Sequence, residues 1–315
     1  MASFLVTGGG GFIGSNLVEA ILRAGDSARV LDDFSTGRRE NLSGAPGWAR
    51  ALGGTFELIE GDIRDLATCR KAAAGCDFVL HHAAIPSVQR SVADPLASNH
   101  VNVTGTLNVL VAARDAKVRR VVMASSSSLY GESETLPKVE TMTPDPISPY
   151  GLQKLTGETY FGIFHKLYGT PTVALRYFNV FGPRQDPASE YSAVIPKFIA
   201  AIDRGSRPTI FGDGEQTRDF TYVANVVQAN LRACAAGPEA LGRAYNIACG
   251  ERISLNELVR ILAGFAGRAV TPEYAPHRPG DIKHSLAGID RARGFLGFRP
   301  ETTVIDGLKR TWELR

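Results

Sequence analysis

The chain has 315 residues, 44% of them hydrophobic, and its 35 Lys and Arg outnumber its 32 Asp and Glu by three. That length allows two hydrophobic cores, or one large α/β unit with an appended lobe, and the near balance of charge argues against a nucleic-acid stripe or a polybasic membrane patch while leaving room for an anionic small molecule. No run approaches membrane-spanning length, the start MASFLVTGGGG lacks a signal-peptide pattern, and Cys69, Cys76, Cys234 and Cys249 are scattered without CxxC spacing, so a cytoplasmic protein with reduced thiols and no metal is expected.

Along the chain, short β-branched runs at 4–8, 28–34, 56–62, 77–84, 119–128 and 172–182 alternate with helical stretches, the βαβ rhythm of a parallel sheet. Continuous apolar runs such as VVMA suit strands covered by helices on both faces. After Gly14, the residues Leu17, Val18, Ile21 and Leu22 recur at helical spacing and Gly25 stops the helix. TPDPISPYG (143–151) carries three prolines and is read as a loop that delivers Tyr150 to a helix N-terminus. Beyond about residue 180, loops rich in Gly and Pro alternate with helices such as 254–265. The fold expected is α/β: a Rossmann domain over 1–178, with a return segment at about 220–247, and a smaller, discontinuous α/β substrate lobe over 179–315.

TGGGGFIG follows the first strand and opens the first helix. Glycines allow the tight turn and let a pyrophosphate approach backbone N–H groups at a helix N-terminus. The spacing fits Gly8, Gly11 and Gly14 or Gly9, Gly11 and Gly14, so the register stays open, with Phe12 and Ile13 inside it. Asp32 ends the second strand, where an acid accepts hydrogen bonds from an adenosine ribose; its charge favours NAD over NADP, although Arg38 and Arg39 keep a 2′-phosphate in play. Asp33, Phe34, Ser35, Thr36 and Gly37 are assigned to the same turn. Asp62 and Ile63 follow the third strand, and Ala83 and Ala84 the fourth, all at strand C-terminal ends where such a sheet forms its crevice. His81 and His82 have no ligand-spaced partner and are expected to pack or to hydrogen-bond.

Tyr150 and Lys154 stand one helical turn apart and so share a helix face. A phenol titrating near about 10 in water is too weak an acid to serve as a base at neutral pH, and an adjacent ammonium favours the phenolate. Upstream, Ser125 to Ser128 cluster at the end of the fifth strand, where a hydroxyl can hold a substrate oxygen in line with the tyrosine.

TGGGGFIG, SSSSLYG, YGLQK and RYFNVFG, in that order, resemble the extended short-chain dehydrogenase/reductase family, and GDGEQTRDF and RPGDIKHS resemble its UDP-hexose 4-epimerases. The resemblance covers essentially the whole chain. It implies that Tyr150 removes the proton from the sugar O4 while hydride passes to a permanently bound NAD, that Lys154 lowers the tyrosine pKa and binds the nicotinamide ribose, and that Ser126 bonds O4 with Ser127 and Ser128 close by. It also implies Val180 near the cofactor, Ser87 near the sugar, Asn179 on the diphosphate, Arg218 and Arg278 as its cationic forks, Asp281 on the uridine ribose, and Ala193, Val194 and Phe211 around the uracil. Ser285 stands where relatives confined to plain hexoses carry tyrosine. A small residue there leaves room for an N-acetyl group, so UDP-GlcNAc and UDP-GalNAc are favoured, with UDP-Glc and UDP-Gal also accepted.

Dehydratases and decarboxylases of the family keep an acid where Ser127 and Ser128 stand. A UDP-glucuronate 4-epimerase is a closer rival, because the sequence leaves open whether Ser87, Arg90 or Arg184 meets a C6 carboxylate. A non-catalytic NAD-binding redox sensor would not need the Tyr/Lys pair. The family further suggests a homodimer formed through helices near 97–116 and 150–168.

Overall fold

A computed structural model describes residues 1–186, 193–277 and 283–315. Arg278 and Asp281 therefore lie outside the described residues. Seven strands, β1 (Ser3–Thr7), β2 (Ser27–Asp32), β3 (Phe56–Glu60), β4 (Phe78–His81), β5 (Arg120–Ser126), β6 (Thr172–Tyr177) and β7 (Arg243–Ile247), form one parallel sheet in the order β7-β6-β5-β4-β1-β2-β3. All six strands read from the sequence are present. The seventh, RAYNI, is added by the segment that returns from beyond residue 220.

The sheet sorts its side chains by strand period. Phe4 and Val6 of β1 join the core on one face with Leu17 and Ile21, whereas Leu5 joins the other face with Val79, Val121, Met123 and Phe161. β4 and β6 are buried throughout, while β3 at the edge is largely exposed, as expected when helices cover only the middle of both faces. The helices that matter below are α1 (Phe12–Arg23), α2 (Thr106–Asp115), α3 (Pro149–Tyr168), α4 (Val194–Asp203), α5 (Val223–Ala235), α6 (Leu255–Phe265) and α7 (Val304–Glu313).

Helix α1 stops before Gly25, whose φ of +81° is the left-handed conformation the sequence signal implied. Helix α3 starts as its residues dictate: the Ser148 side chain accepts from the Gly151 amide, and Pro149 occupies the first turn. Gly169, at φ +66°, ends it. The helix expected near 97–116 is less regular. It runs Pro95–Asn99, widens into a π-helical segment at His100–Gly105 and continues as α2.

A third core, built from Phe181, Ile195, Phe198, Ile210, Leu258 and Leu308, lies under α4, α6 and α7. The strands there are two or three residues long: Val180–Phe181 pairs with Thr221–Tyr222, Thr217–Arg218 with Ile253–Ser254, and Thr209–Phe211 with Glu273–Ala275. Among the described residues, no helix is long and apolar enough to cross a membrane.

Candidate active site

The strand order reverses between β1 and β4, and there the chain leaves a crevice. The glycines open it. Gly8 has φ +73°, and a side-chain carbon on it would lie 2.6 Å from the Ala83 nitrogen; one on Gly14 would lie 2.1 Å from the Gly8 carbonyl oxygen. Backbone therefore packs on backbone at the head of α1, leaving amide groups uncovered for an anion. This contact selects the register Gly8, Gly11 and Gly14: all three line the crevice, whereas Gly9 packs against Val30.

Asp32 is 7% exposed, and its two carboxylate oxygens accept from the Gly10 and Phe34 amides at 2.7 and 2.8 Å. Burial raises its pKa, opposed by those two hydrogen bonds. Asp32 thus shapes the glycine turn as well as facing the crevice. Phe12, Ile13, Asp33, Ser35, Thr36, Asp62, Ile63, Ala83 and Ala84 line the same cavity, but Phe34 and Gly37 do not; they pack on Gly10 from behind. Phe34, at φ +55°, and Asn179, at φ +34°, are two of the four non-glycine residues held in positive φ among the described residues; Phe34 backs the glycine turn and Asn179 lines the second cavity. Arg39 pairs with Glu60 at 2.5 Å and lies 4.2 Å from the Phe34 ring centroid, and Arg38 pairs with Asp186 at 2.5 Å. Both cations already have acidic partners, which weakens the case for a 2′-phosphate.

Tyr150 and Lys154 reach the inner end of this cavity from α3. The Lys154 ammonium lies 5.8 Å from the Tyr150 ring centroid and donates to the Ala124 carbonyl at 2.8 Å. Ser126 accepts from the Ser128 amide and hydroxyl, at 3.1 and 2.9 Å, so it is the oriented member of the serine run. Burial pushes the Tyr150 phenol up to about 12, against the pull of Ser126, and burial brings Lys154 down to about 8, against the attraction of Glu158. Burial is the largest influence on the phenol, and an ammonium beside it favours the phenolate.

Some of this scaffolding was missed in the sequence. The Tyr150 amide donates to Ser91 Oγ at 3.0 Å. Asn102, in the π-helical turn, donates to Gln153 and to the Ile85 carbonyl and accepts from the Ile85 amide, tying α3 to the loop after β4. His82 bonds the Tyr177 hydroxyl at 2.9 Å, and both line the cavity. His81 bridges Thr7 and Thr106 at 2.7 and 2.9 Å. Burial depresses both imidazoles to about 3, so they are neutral, which fits the packing and hydrogen-bonding roles expected for them. Among the described residues, no group of three His, Cys, Asp or Glu could hold a metal.

A second cavity of about 730 Å³, large enough for a ligand of nucleotide-sugar size, opens in the C-terminal lobe. Asn179, Val180, Ala193, Val194, Phe211 and Arg218 line it, so Val180 falls on this side rather than in the crevice; Lys197, Arg204 and Arg207, not singled out in the sequence, add positive charge. Asn179 also donates to the Asp219 carbonyl at 3.1 Å. Ser285 is half-buried on the segment that pairs with this wall, its amide donating to the Thr217 carbonyl at 3.1 Å. Ser87 caps the helix Val88–Ala93, accepting from the Arg90 amide at 3.1 Å, and lines neither cavity. Ser126, Ser127 and Ser128 likewise line neither, and Ser125 is the member of the run that lines the crevice.

Comparison with known proteins agrees with this geometry. Residues 4–248 match the model of the NAD dependent epimerase/dehydratase family. A UDP-glucose 4-epimerase from Mycolicibacterium smegmatis is 40% identical over 311 residues, 98% of this chain and 97% of the relative. Among solved structures, a UDP-N-acetylglucosamine 4-epimerase from Methanobrevibacter ruminantium M1, in complex with UDP-N-acetylmuramic acid, superposes with a TM-score of 0.93 at 39% identity, covering 99% of this chain and 97% of that one. A UDP-glucose 4-epimerase from Thermotoga maritima with UDP-glucose gives 0.91 at 35% identity, covering 99% and 98%.

Proposed function

The chain belongs to the NAD dependent epimerase/dehydratase family, and from that premise we propose that it inverts C4 of a UDP-hexose through a 4-keto intermediate, with UDP-GlcNAc and UDP-GalNAc as preferred substrates and UDP-Glc and UDP-Gal also accepted. The observation that carries the reading is Tyr150 and Lys154 side by side, the Lys154 ammonium 5.8 Å from the phenol ring centroid, in the wall of a crevice whose glycine loop is shaped for a dinucleotide. The residues present fit NAD: the Gly8–Gly14 turn would hold its pyrophosphate, Asp32 its adenosine ribose and Lys154 its nicotinamide ribose. When bound, NAD would supply the acceptor and later donor of the C4 hydride.

Tyr150, with the Lys154 ammonium beside it to favour the phenolate, takes the proton from O4 and returns it after the sugar has turned. Ser126 keeps O4 in line with the phenol. Arg218 and Asn179 bind the diphosphate, with Ala193, Val194 and Phe211 around the base; Arg278 and Asp281 are assigned the phosphate and uridine contacts that the family resemblance implies. The small Ser285 leaves space at C2 for an N-acetyl group. Arg184 supports this choice over a uronate, because it is bonded to Glu19 and packs 5.9 Å from the Trp48 ring centroid on the α1 side of the cofactor half.

We also assign a homodimer, supported by Val92, Leu96, Leu152, Ile163 and Leu167, which are exposed along the helices from 88 to 99 and along α3. The four free thiols, three of them buried, suit a reducing cytoplasm. Incubating the purified protein with UDP-GlcNAc, UDP-Glc and UDP-glucuronate separately, without added cofactor, and resolving the products tests the reading. Epimer from UDP-GlcNAc is expected; product from none of the three rejects the epimerase, and product from UDP-glucuronate alone rejects the sugar.

A further inference from the structure

Beneath the Tyr150–Lys154 pair lies an ion pair that the epimerisation chemistry does not use. Glu158 is one turn beyond Lys154 on α3, and the Arg176 guanidinium of β6 grips it with Nε and Nη2 at 2.9 and 2.8 Å. Its side chains are 8% and 6% exposed; no other ion pair among the described residues is buried on both sides. Removing two charges from water costs several kcal/mol per ion, so a buried pair is a weak source of stability compared with apolar packing of the same volume. Its placement suggests another reason for keeping it.

Three consecutive residues at the end of β5 are held by three consecutive turns of α3. Ser126 is the neighbour that favours the Tyr150 phenolate, the Ala124 carbonyl accepts from Lys154, and between them Ser125 Oγ donates to Glu158 at 2.5 Å. Ser125 and Arg176 are paired neighbours across β5 and β6, so both sides of the carboxylate are anchored in the sheet. Arg176 continues the chain through Nη1 to the Tyr130 hydroxyl at 2.8 Å, and Tyr130 donates to Asn246 of β7 at 2.7 Å.

We propose, resting on the epimerase reading, that Glu158 is a positioning residue: anchored by Arg176, it fixes the register of α3 on the end of β5 and supplies the one carboxylate that attracts the Lys154 ammonium. The other titratable groups facing Lys154 are Tyr150 on its own helix, the neutral His81 and His82 of β4, and Tyr177 at the end of β6. None of these opposes the burial that disfavours the ammonium. Glu158 does.

The test compares Glu158→Gln, which keeps an acceptor for Ser125 but loses the charge, with the double variant Glu158→Gln/Arg176→Met, which also removes the guanidinium that the single variant would leave buried without its carboxylate. Both are expected to retain NAD, keep KM within about twofold, lose about tenfold in kcat at neutral pH, and move the alkaline limb of kcat down by about half a pH unit or more. A substrate-free readout accompanies this: nitrogen-15 NMR of labelled lysines, with Lys154 assigned by its loss in Lys154→Met, should show the ammonium deprotonating at lower pH in both variants. An unmoved Lys154 titration and an unmoved limb, with only stability or kcat reduced, would overturn the proposal. If wild-type protein turns over no UDP-sugar, the function proposed above fails, and the Lys154 titration still decides this one.

Discussion

The cofactor half and the sugar lobe place their functional residues by different means. In the first, the Gly8 turn, Asp32, Asp62, Ala83 and Ser126 all follow C-terminal ends of neighbouring parallel strands, whose register is set by five to seven backbone positions each for β1, β2, β3 and β5. In the second, Asn179, Arg218 and Phe211 sit on or beside strands of two or three residues, paired locally over the core beneath α4, α6 and α7. A long ladder cannot slip without turning every buried side chain outward, whereas a two-residue bridge is held mainly by what packs beneath it. Packing beneath such short strands can change without moving the register of the sheet.

The comparison breaks most sharply at the phenol. Tyr150→Phe is expected to lower kcat by about 10³-fold or more with NAD still bound, read from initial rates and from cofactor content after denaturation. Gly14→Val should abolish cofactor retention, since the side chain would collide with the Gly8 carbonyl; a purified variant carrying a full complement of NAD would contradict the backbone-on-backbone account. In the lobe the effects should be selective. Ser285→Tyr is expected to cut kcat/KM for UDP-GlcNAc by about tenfold or more while leaving UDP-Glc within about threefold, and equal losses on both sugars would place Ser285 away from C2.

The smallest expected effect concerns stability. His81 and His82 are held neutral in the folded state, with pKa values near 3 against 6.5 for the free group. Below pH 6.5 the unfolded chain binds protons that the folded chain refuses, so each imidazole withdraws up to about 1.4 kcal/mol of stability per pH unit, from the unfolded pKa down toward 3. Thermal midpoints measured between pH 7 and pH 5 should fall, and His82→Asn should flatten that slope; an unchanged slope would mean that His82 is protonated in the fold.

Much of the cofactor half was legible because its signals are local. Short β-branched runs mark β1 to β6, a glycine spacing marks the turn, and Tyr150 with Lys154 share a face by helical period alone. The glycine register was not local: Gly9 and Gly8 are equivalent in spacing, and only the contact between Gly8 and Ala83 of the neighbouring strand's loop separates them. The resemblance implies Val180 near the cofactor, and the structure has it among the residues lining the second cavity.

Sequence by itself determined the parallel α/β architecture, the position of the dinucleotide turn and the catalytic helix, because strand and helix periods and glycine geometry are properties of neighbouring residues. Tertiary structure alone decided that β7 closes the sheet, that Ser91 and Asn102 hold α3 in place, that Arg184 turns toward Glu19, and that Glu158 meets Arg176 beneath Lys154. Those pairings join residues up to 165 positions apart. Nothing in the spacing of either partner encodes which buried charge or hydroxyl it will meet; that is settled only when packing removes water and leaves each polar group to find the one partner within reach.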